Sequence, residues 1–438
     1  MASRVMSSGL NSAIGRPLVR YVSTNGKHRV VVLGTGWSSF SFTKHVDTSL
    51  FDVTVISPRN HFLFTPLLAS TAVGTLEFRS IVEPIRDITG KKDMTYHWAS
   101  ADKIDPENKH VYCSGEHPLR DVPFQLPYDT LVIGLGVIPG TFGVPGVLEN
   151  AVFLKELPNA RKIRQRIIAC FETARDPSVS DDTRRRLLSF VVVGGGPTGV
   201  EFCAELGDFM HADVPRYYPH LDRSMIKITL LEAGTKLLTA FDRRIVSSAM
   251  ANFEKMGIEV RVGARVEEVG QTEISLAGGE KIPFGLCVWS AGISPRPVVE
   301  TLDLPKDKSQ RLITDHFLQC KGHKDIFVIG DCGTIEGLPL PATAQVARQQ
   351  GLYLANALGK QLQGKPVDTW EYHHLGLMAY TGRYKALFDS RFFKDSGFVS
   401  WLAWRSAYFA RLGSIKNMMQ VPLDWTKTFL WGRDITMF

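Results

Sequence analysis

Short apolar runs followed by glycines recur along this chain and dominate its pattern of hydrophobic positions. Residues 30–33 (VVVL) and 191–193 (VVV) are two such runs, and each leads through a glycine-rich turn into a stretch compatible with a helix. Continuous apolar runs of this length are typical of strands buried on both faces of a parallel sheet. Further strands are predicted at residues 52–56, 127–136, 227–231, 257–262, 286–289 and 325–328. The pattern predicts an α/β fold.

Helical periodicity separates several of these strands. Within residues 156–175, the apolar side chains of Ile163, Ile167 and Phe171 recur every four residues, which places them on one helix face. Helices are also predicted at residues 200–209 and 343–358. Strands that alternate with helices in this way predict βαβ units around a parallel sheet.

Two glycine fingerprints occupy the turns after the first two runs. They are residues 34–39 (GTGWSS) and 194–199 (GGGPTG), 160 residues apart. Glycines between a strand and a helix let the backbone approach a pyrophosphate at the helix N-terminus. One such motif is weak support, because many glycine turns match it by chance. Two in the right context predict two dinucleotides in one protein, and electron transfer is the usual reason for such a pair.

Two acidic residues assign a nucleotide to each fingerprint. Glu232 stands at the end of the strand after the second fingerprint, where a carboxylate binds ribose hydroxyls and repels a 2′-phosphate. This position favours NADH over NADPH. Asp331 follows a strand and Gly330, where its carboxylate reaches polyol hydroxyls such as a flavin ribityl chain. FAD is therefore predicted at the first fingerprint and NADH at the second, and Ser57 replaces the ribose-binding acid at the first.

Three further polar residues are candidates for chemistry. Glu201 falls in the first helical turn after the second fingerprint, where the helix dipole favours an acid whether or not it has a catalytic role. Gln345 and Gln349 lie one helical turn apart on one face. Their amides donate hydrogen bonds to a carbonyl oxygen without adding charge, which suits a quinone. Glutamines of an exposed helix are usually inert, so that alternative stays open.

Charge and cysteine content narrow the choice of partners. The formal net charge is +7, which suits anionic ligands or an anionic membrane, and no nucleic-acid-binding module is recognised. The six cysteines form no CxxC pair and no metal-ligand spacing, so a metal site is not predicted. Reduced, structural thiols are expected instead.

The first 25 residues differ in composition from the rest. Residues 1–46 contain no Asp or Glu, and Arg4, Arg16 and Arg20 stand among serines and apolar residues. This composition predicts a mitochondrial presequence. A tail of chance composition is the alternative. No apolar window is long enough to span a bilayer, so no transmembrane helix is predicted.

The C-terminal tail is rich in aromatic residues. Four of the eight tryptophans lie in residues 401–438, and Trp401, Trp404, Tyr408 and Leu412 form an apolar stripe at helical spacing. Interleaved cations such as Arg405 and Lys427 suit a helix in the plane of a membrane interface. A dimer interface and an ordinary core helix are the alternatives.

These observations predict an α/β protein with two Rossmann-like dinucleotide-binding domains, the NADH domain inserted in the FAD domain, and a C-terminal membrane-docking region. The predicted boundaries are 1–25 for the presequence, 27–160 and 298–364 for the two parts of the FAD domain, 161–297 for the NADH domain and 365–438 for the C-terminal region.

With these motifs, the chain resembles the type II (alternative) NADH:quinone oxidoreductases, single-subunit flavoenzymes of mitochondrial and bacterial respiratory membranes. The resemblance runs from about residue 29 to the C-terminus. The matching stretches are 32–37 (VLGTGW), 56–59 (ISPR), 62–68 (FLFTPLL), 193–206 (VGGGPTGVEFCAEL), 289–292 (WSAG), 328–331 (VIGD), 344–351 (AQVARQQG) and 404–414 (WRSAYFARLGS).

The resemblance implies a set of site residues. FAD would lie on Gly34, Gly36, Ser57, Thr65, Gly136 and Asp331, and NADH on Gly194, Gly196, Gly199, Glu201, Glu232 and Gly292. Ubiquinone would approach Gln345 and Gln349, with Tyr408 as a further candidate, and Glu201, Gln345 and Gln349 would be catalytic.

The implied activity is a non-proton-pumping transfer of hydride from NADH to FAD and then of two electrons to ubiquinone. The protein would be peripheral at the mitochondrial inner membrane, and dimerisation is left open. Two rivals stay open as well. A sulfide:quinone oxidoreductase needs a cysteine pair beside the flavin, which Cys113, Cys170 and Cys287 do not obviously provide. An apoptosis-factor-like flavoprotein would use its nucleotides for binding more than for turnover.

Overall fold

The computed structural model describes residues 19–20, 26–116, 122–391 and 393–437. The presequence predicted for residues 1–25 lies outside the described residues except for positions 19–20.

The strands are numbered here in chain order. They are β1 (Val19–Arg20), β2 (His28–Leu33), β3 (Phe51–Ser57), β4 (His61–Leu63), β5 (Val82–Pro84), β6 (Thr95–Asp105), β7 (His110–Gly115), β8 (Phe124–Pro127), β9 (Thr130–Ile133), β10 (Ile138–Pro139), β11 (Val152–Phe153), β12 (Ser189–Val193), β13 (Lys227–Glu232), β14 (Ile258–Val262), β15 (Val266–Val269), β16 (Glu273–Leu276), β17 (Lys281–Pro283), β18 (Leu286–Trp289), β19 (Ile293–Ser294), β20 (Leu312–Thr314), β21 (Ile326–Val328), β22 (Gly333–Ile335), β23 (Leu377–Gly382), β24 (Lys385–Asp389) and β25 (Lys394–Gly397).

The helices follow the same convention. They are α1 (Trp37–His45), α2 (Leu68–Ala72), α3 (Arg86–Thr89), α4 (Val147–Asn150), α5 (Leu157–Ala174), α6 (Asp181–Leu187), α7 (Pro197–Ala212), α8 (Val214–Tyr217), α9 (Arg243–Lys255), α10 (Pro297–Glu300), α11 (Ala344–Leu362), α12 (Phe398–Phe409) and α13 (Ile415–Trp431), with 3₁₀ turns at Thr65–Leu67, Phe78–Ile81 and Arg223–Met225.

The described residues form two compact units. The first unit contains the described residues up to Asn60 together with Ile85–Gly136 and Pro295–Tyr372. The second unit contains His61–Pro84, Val137–Ser294 and the described residues from His373 onward. The second unit therefore includes both the second glycine fingerprint and the C-terminal region. The domain boundaries predicted from the sequence stay predictions.

The first unit is built on an eight-stranded sheet in the order β1-β8-β7-β6-β3-β2-β9-β21. Strands β6, β3, β2, β9 and β21 pair in parallel, whereas β6, β7 and β8 form an antiparallel meander. The last two strands in this order, β9 and β21, are buried along their whole length, as their mainly apolar sequences favour. One apolar cluster, which includes Val31, Ile133 and Val328, packs beside these strands.

The second unit contains a five-stranded sheet in the order β11-β18-β12-β13-β14, in which every neighbouring pair is parallel. Strand β12 lies in the middle, with β13 on one side and β18 on the other. This reversal of strand order beside β12 is the switch point at which parallel α/β sheets bind nucleotides. The α/β fold class predicted from the sequence is confirmed in both units.

Most predicted strands and helices form within two or three residues of the expected bounds. The segment 127–136 is an exception, because β8 ends at Pro127 and β9 begins only at Thr130. The chain changes partner between them: β8 pairs antiparallel with β7, whereas β9 pairs in parallel with β2. The apolar run alone did not reveal this change of partner.

Candidate functional site

The first fingerprint starts at Gly34, directly after β2. Its N–H donates to the Ile56 carbonyl at 2.8 Å, and its φ is +99°. A β carbon at this position would stand 2.5 Å from the Gly134 carbonyl oxygen. Both the backbone angle and the close approach therefore require glycine here.

Gly36 is the N-cap of α1 and faces open space. Among the described residues, no neighbouring atom lies within 4 Å of where its β carbon would be, and the first turn of α1 carries no acidic residue. The unpaired N–H groups of a helix start attract anions, and here a phosphate can reach them without obstruction. This is the geometry that a dinucleotide pyrophosphate needs.

Two serines complete this turn. Ser39, in the place of the third glycine, is buried and donates to the Leu33 and Gly134 carbonyls at 3.1 and 3.2 Å. The hydroxyl of Ser57 lies 3.0 Å from that of Thr35 and accepts the N–H of Arg59 at 3.1 Å. Ser57 is therefore adjacent to the fingerprint, at the end of β3, as a ribose-binding position must be.

Asp331 approaches the same helix start from β21. The preceding Gly330 has a φ of +77°, and a β carbon on it would lie 2.6 Å from the Ser38 hydroxyl. The turn that carries Asp331 thus packs on the first turn of α1. Gly136, which follows β9 with a φ of +64°, belongs to the same unit, whereas Thr65 begins a 3₁₀ turn of the second unit.

The second fingerprint repeats this geometry. The Gly194 N–H donates to the Leu231 carbonyl at 2.8 Å, and its φ is +113°. Gly196 is the N-cap of α7, and again no neighbouring atom of the described part of the chain lies within 4 Å of its β-carbon position. A β carbon on Gly199 would stand 2.0 Å from the Gly194 carbonyl oxygen, so glycine alone lets the helix pack this closely on the turn.

Glu232 and Gly292 border this second cradle from opposite sides. The Glu232 carboxylate accepts the N–H groups of Gly195 at 2.7 Å and Gly234 at 2.6 Å. Gly292 has a φ of +77° and follows β18. Both fingerprints are therefore strand–turn–helix cradles with an open helix start, and the residues present fit two dinucleotides.

Gln345 and Gln349 lie in the first two turns of α11, in the first unit, and both are half-buried. The Tyr372 hydroxyl donates to the Gln345 side-chain oxygen at 3.0 Å. The neighbouring Gln350, which the sequence did not single out, is buried and accepts the Gly330 N–H at 2.7 Å. Gln350 thus fixes the turn that carries Asp331. The helical periodicity of this segment places Gln350 on the inward face of α11, and that pattern could have identified the residue from the sequence.

Glu201 is buried in the second turn of α7, with 8% of its surface exposed. The expectation that it lies in the first turn is wrong, because the helix begins already at Pro197. Its carboxylate accepts the Tyr380 N–H from β23 at 3.1 Å. Burial raises the pKa of Glu201 to about 8, although the hydrogen bond from Tyr380 opposes the shift. The residue therefore holds a proton near neutral pH, which a glutamate in water does not do.

Tyr408 lies close to Glu201 in the second unit. Its ring stands 6.0 Å from the Phe64 ring in an edge-to-face arrangement and 4.9 Å from the Trp404 ring. Burial raises the pKa of the Tyr408 phenol, and the charge of Glu201 acts in the same direction. The structure thus brings Glu201 and Tyr408 together, whereas Gln345 and Gln349 belong to the other unit.

A buried ion-pair network, which the sequence did not reveal, ties the C-terminus to α7. Arg433 pairs with Asp213 at 2.7 Å and with Glu205 at 3.4 Å, and it donates to the Thr75 hydroxyl at 2.9 Å. Glu205 also accepts the Ser70 hydroxyl at 2.7 Å. Buried charges need such complete pairing to be tolerated.

The aromatic stripe predicted in the tail faces inward. Trp401 and Trp404 are buried against β23 and β24, and Leu412 lies beyond the end of α12 at Phe409, where it is also buried. Arg405 is held between the rings of Trp401 and Trp425, 4.3 and 4.2 Å from their centroids. The expectation that these rings occupy a membrane interface is wrong for Trp401 and Trp404.

Other apolar residues of the two C-terminal helices face outward. They are Phe398, Val399, Leu402, Phe409, Ile415, Met419, Leu423, Phe429, Leu430 and Trp431, each at least 40% exposed. Among the described residues, no helix is both long enough and apolar enough to cross a bilayer.

The six cysteines are all buried, and none forms a disulfide. Burial raises the pKa of Cys113 to about 12, of Cys170 to about 11 and of Cys287 to about 12. A cysteine reacts as the thiolate, so these thiols are poor nucleophiles. They do not supply the reactive pair that sulfide oxidation requires.

Two family models match the chain. Residues 28–351 match the pyridine nucleotide-disulphide oxidoreductases, and residues 374–434 match the NDH2 C-terminal domain.

Similar proteins extend this match over nearly the whole length. A probable NADH dehydrogenase of Dictyostelium discoideum is 47% identical, over 94% of this chain and 91% of that protein. The internal alternative NAD(P)H-ubiquinone oxidoreductase A1 of Arabidopsis thaliana mitochondria is 42% identical, over 94% and 86%. The solved structure of NDH2 from Plasmodium falciparum in complex with NADH superposes with a TM-score of 0.88 at 26% identity, over 94% of this chain and 100% of that one. The chain therefore belongs to the type II NADH dehydrogenases of the pyridine nucleotide-disulphide oxidoreductase family.

Proposed function

We propose that the chain is a FAD-dependent NADH:ubiquinone oxidoreductase of the respiratory chain that does not pump protons. The observation that carries this proposal is the pair of matching cradles at Gly34–Gly36 and Gly194–Gly196, one in each unit. The mitochondrial ubiquinone oxidoreductases among its relatives support the acceptor and the location at the mitochondrial inner membrane.

The first unit supplies the residues for FAD. Gly34 and Gly36 give access to the helix start of α1. Ser57, at the end of β3, would hold the adenosine ribose, and Asp331 would bind the ribityl hydroxyls. FAD, when bound, takes a hydride equivalent from NADH and delivers two electrons to a quinone. The protein itself has to hold the partners, orient them and manage protons.

The second unit supplies the residues for NADH. Glu232 stands at the cradle with its carboxylate already directed by the Gly195 N–H. A second negative charge, the 2′-phosphate of NADPH, would be repelled there. NADH is therefore the proposed donor, and we expect a preference for NADH over NADPH.

The proposed quinone residues comprise neutral hydrogen-bond donors and one protonated carboxyl group. Gln345 and Gln349 present amide groups, and the hydroxyl of Tyr372 already orients Gln345. Glu201 and Tyr408 form a second, aromatic group in which Glu201 keeps its proton near neutral pH. Reduction of a quinone to a quinol consumes two protons, and a buried carboxyl with a pKa of about 8 is suited to donate one.

The outward apolar residues of α12 and α13 are the proposed contact with the membrane surface. Ile415, Met419 and Leu423 recur every four residues on α13 and are 77, 71 and 53% exposed. The exposed Lys416 and Lys427 flank this row. An apolar face with flanking cations favours a helix that lies in the interface of an anionic bilayer.

One assay tests the proposal. The purified full-length chain is expected to contain FAD and to oxidise NADH faster than NADPH when a soluble ubiquinone is added. Rapid-mixing measurements separate the two half-reactions. The Gln345→Ala and Gln349→Ala variants should lose quinone reduction more than they lose flavin reduction by NADH. A chain that binds no flavin would refute the proposal, and equal loss in both half-reactions would refute the role of the glutamines.

A further inference from the structure

Phe142 is an exposed aromatic residue in a conformation that aromatic residues avoid. Its side chain is 76% exposed, the second most exposed of the large apolar side chains described. Its φ is +53°, in the left-handed region. A bulky L-residue there is an outlier that costs stability and points to a function.

The strain arises from a tight turn. The Val144 N–H donates to the Thr141 carbonyl at 3.0 Å, and the two central residues, Phe142 and Gly143, both have positive φ. Such a turn is of type I′, whose first central position is usually Asn, Asp or Gly. Phenylalanine gains no burial at this position, so neither the turn nor the core explains it.

The turn is fixed firmly at its base. The Trp289 indole donates to the Gly140 carbonyl at 2.9 Å and to the Ala291 carbonyl at 2.8 Å, and the Gly140 N–H donates to the Gly292 carbonyl at 3.2 Å. The short strands β10 and β19 pair beside it. The Phe142 ring itself rests on Gly292, where a β carbon would stand 2.7 Å from it.

This location is next to the second cradle. Gly292 follows β18, and the backbone of residues 290–291 lies 3.0 Å from the β-carbon position of Gly194. In the sheet, β13 with Glu232 lies on one side of β12 and β18 lies on the other. When Glu232 holds the adenosine ribose, the opposite half of the dinucleotide extends towards β18. Phe142 therefore stands on the nicotinamide side.

We propose that Phe142 is a binding residue for the nicotinamide half of NADH, against which its exposed ring packs. The proposal rests on the assignment of NADH to the second cradle. An aromatic ring offers a flat apolar surface to a nicotinamide ring or its ribose, and contacts of this kind typically change affinity by about threefold to tenfold. The turn carries the strain so that the ring is already in place before the ligand arrives.

Binding of NAD⁺ and of ADP to the purified flavin-containing chain tests this role by calorimetry. The Phe142→Gly variant should bind NAD⁺ about threefold to tenfold more weakly, whereas ADP, which lacks the nicotinamide half, should bind as to the wild type. Because glycine relieves the strained φ, the thermal midpoint should stay equal or rise. Phe142→Tyr, which keeps the ring, should retain wild-type affinity for NAD⁺.

Gln310→Gly is the matched control, because Gln310 is also exposed with a φ of +60° but lies in the first unit. The Gln310→Gly variant relieves backbone strain away from the second cradle, so NAD⁺ binding should stay unchanged. Unchanged NAD⁺ affinity in Phe142→Gly would overturn the inference, as would equal weakening of NAD⁺ and ADP. If Phe142→Gly does not fold, Phe142→Leu takes its place with the same expectations for affinity. A wild-type chain that binds neither nucleotide would instead overturn the proposed function.

Discussion

At the scale of single residues, Glu201 shows how the environment changes the chemistry of one side chain. A glutamate carboxyl in water is ionised at neutral pH. Here burial removes water from the group and raises its pKa to about 8. Tyr380 donates one hydrogen bond, which is not enough to reverse the effect. Glu201 is therefore a protonated, neutral carboxyl near neutral pH and not a fixed negative charge.

Glu201 should make stability depend on pH. In the unfolded chain its carboxyl has the ordinary pKa of 4.5, so between pH 4.5 and 8 the folded state holds a proton that the unfolded state has lost. Its contribution to stability is therefore full at low pH and falls as the pH rises to about 8, by at most about 1.4 kcal/mol per pH unit. Thermal midpoints between pH 5 and 9 should fall less steeply for Glu201→Gln than for the wild type.

Glu149→Gln controls for the loss of one carboxylate, because Glu149 lies exposed on α4 of the same unit. Parallel pH profiles for the wild type and Glu201→Gln would show that the buried carboxyl does not carry the proton inferred for it.

At the scale of elements, one buried cation links the end of the C-terminal segment to the rest of the second unit. Arg433 follows α13 and is 7% exposed. Of its partners, Glu205 lies in the middle of α7 and Asp213 directly follows that helix. A single guanidinium group therefore neutralises two buried carboxylates. These carboxylates would be left buried without a counter-charge if it were removed.

Arg433→Ala should destabilise the chain strongly, because removal of one partner of a buried ion pair costs about 3–5 kcal/mol. Urea unfolding followed by circular dichroism measures the loss. Lys427→Ala removes an exposed cation from the same helix region and should cost less than about 1 kcal/mol. Similar losses in the two variants would mean that burial of the Arg433 network does not matter.

The exposed apolar residues of α13 lead to a second prediction at this scale. Replacement of Met419 and Leu423 by glutamate should reduce binding to vesicles of anionic lipid at least tenfold, since each buried apolar side chain contributes about 1.5–3 kcal/mol. Co-sedimentation measures the bound fraction. Leu148→Glu alters an equally exposed apolar residue on α4 and should leave vesicle binding unchanged. Undiminished binding of the double variant would exclude this face as the contact.

At the scale of the whole molecule, each of the two units carries its own core and its own cradle. The apolar cluster of the first unit surrounds β9 and β21, whereas that of the second includes Val191, Val193 and Trp289. Each bound nucleotide should therefore protect a different part of the chain.

Hydrogen exchange tests the assignment of the two nucleotides. Addition of NAD⁺ to the flavin-containing chain should slow exchange of the amides at the start of α7, where Thr198 and Gly199 lie. Removal of FAD should speed exchange at the start of α1, around Trp37 and Ser38. Protection of α1 by NAD⁺ would reverse the assignment of the cradles.

The sequence predicted much of this fold because the decisive features are local. Gly34 and Gly194 adopt positive φ beside a strand. Because glycine adopts this conformation most readily, the residue type alone indicates such a turn. The apolar runs of β2 and β12 likewise report burial directly. Motifs of this kind do not need a tertiary contact to be recognised. The hydrogen bond between Gln350 and the Gly330 N–H, by contrast, depends on how α11 packs within the first unit.

By itself, then, the sequence determined the α/β class, the two dinucleotide cradles and the acidic residue beside the second, since each depends on a few neighbouring residues. Only the tertiary structure decided which side chains are removed from water. It buried Glu201, Arg433, Trp401 and Trp404, and it turned a different apolar row outward. The physical reason is that burial and its pKa shifts arise from segments far apart in the chain, such as α7 and β23, whose contacts no local pattern specifies.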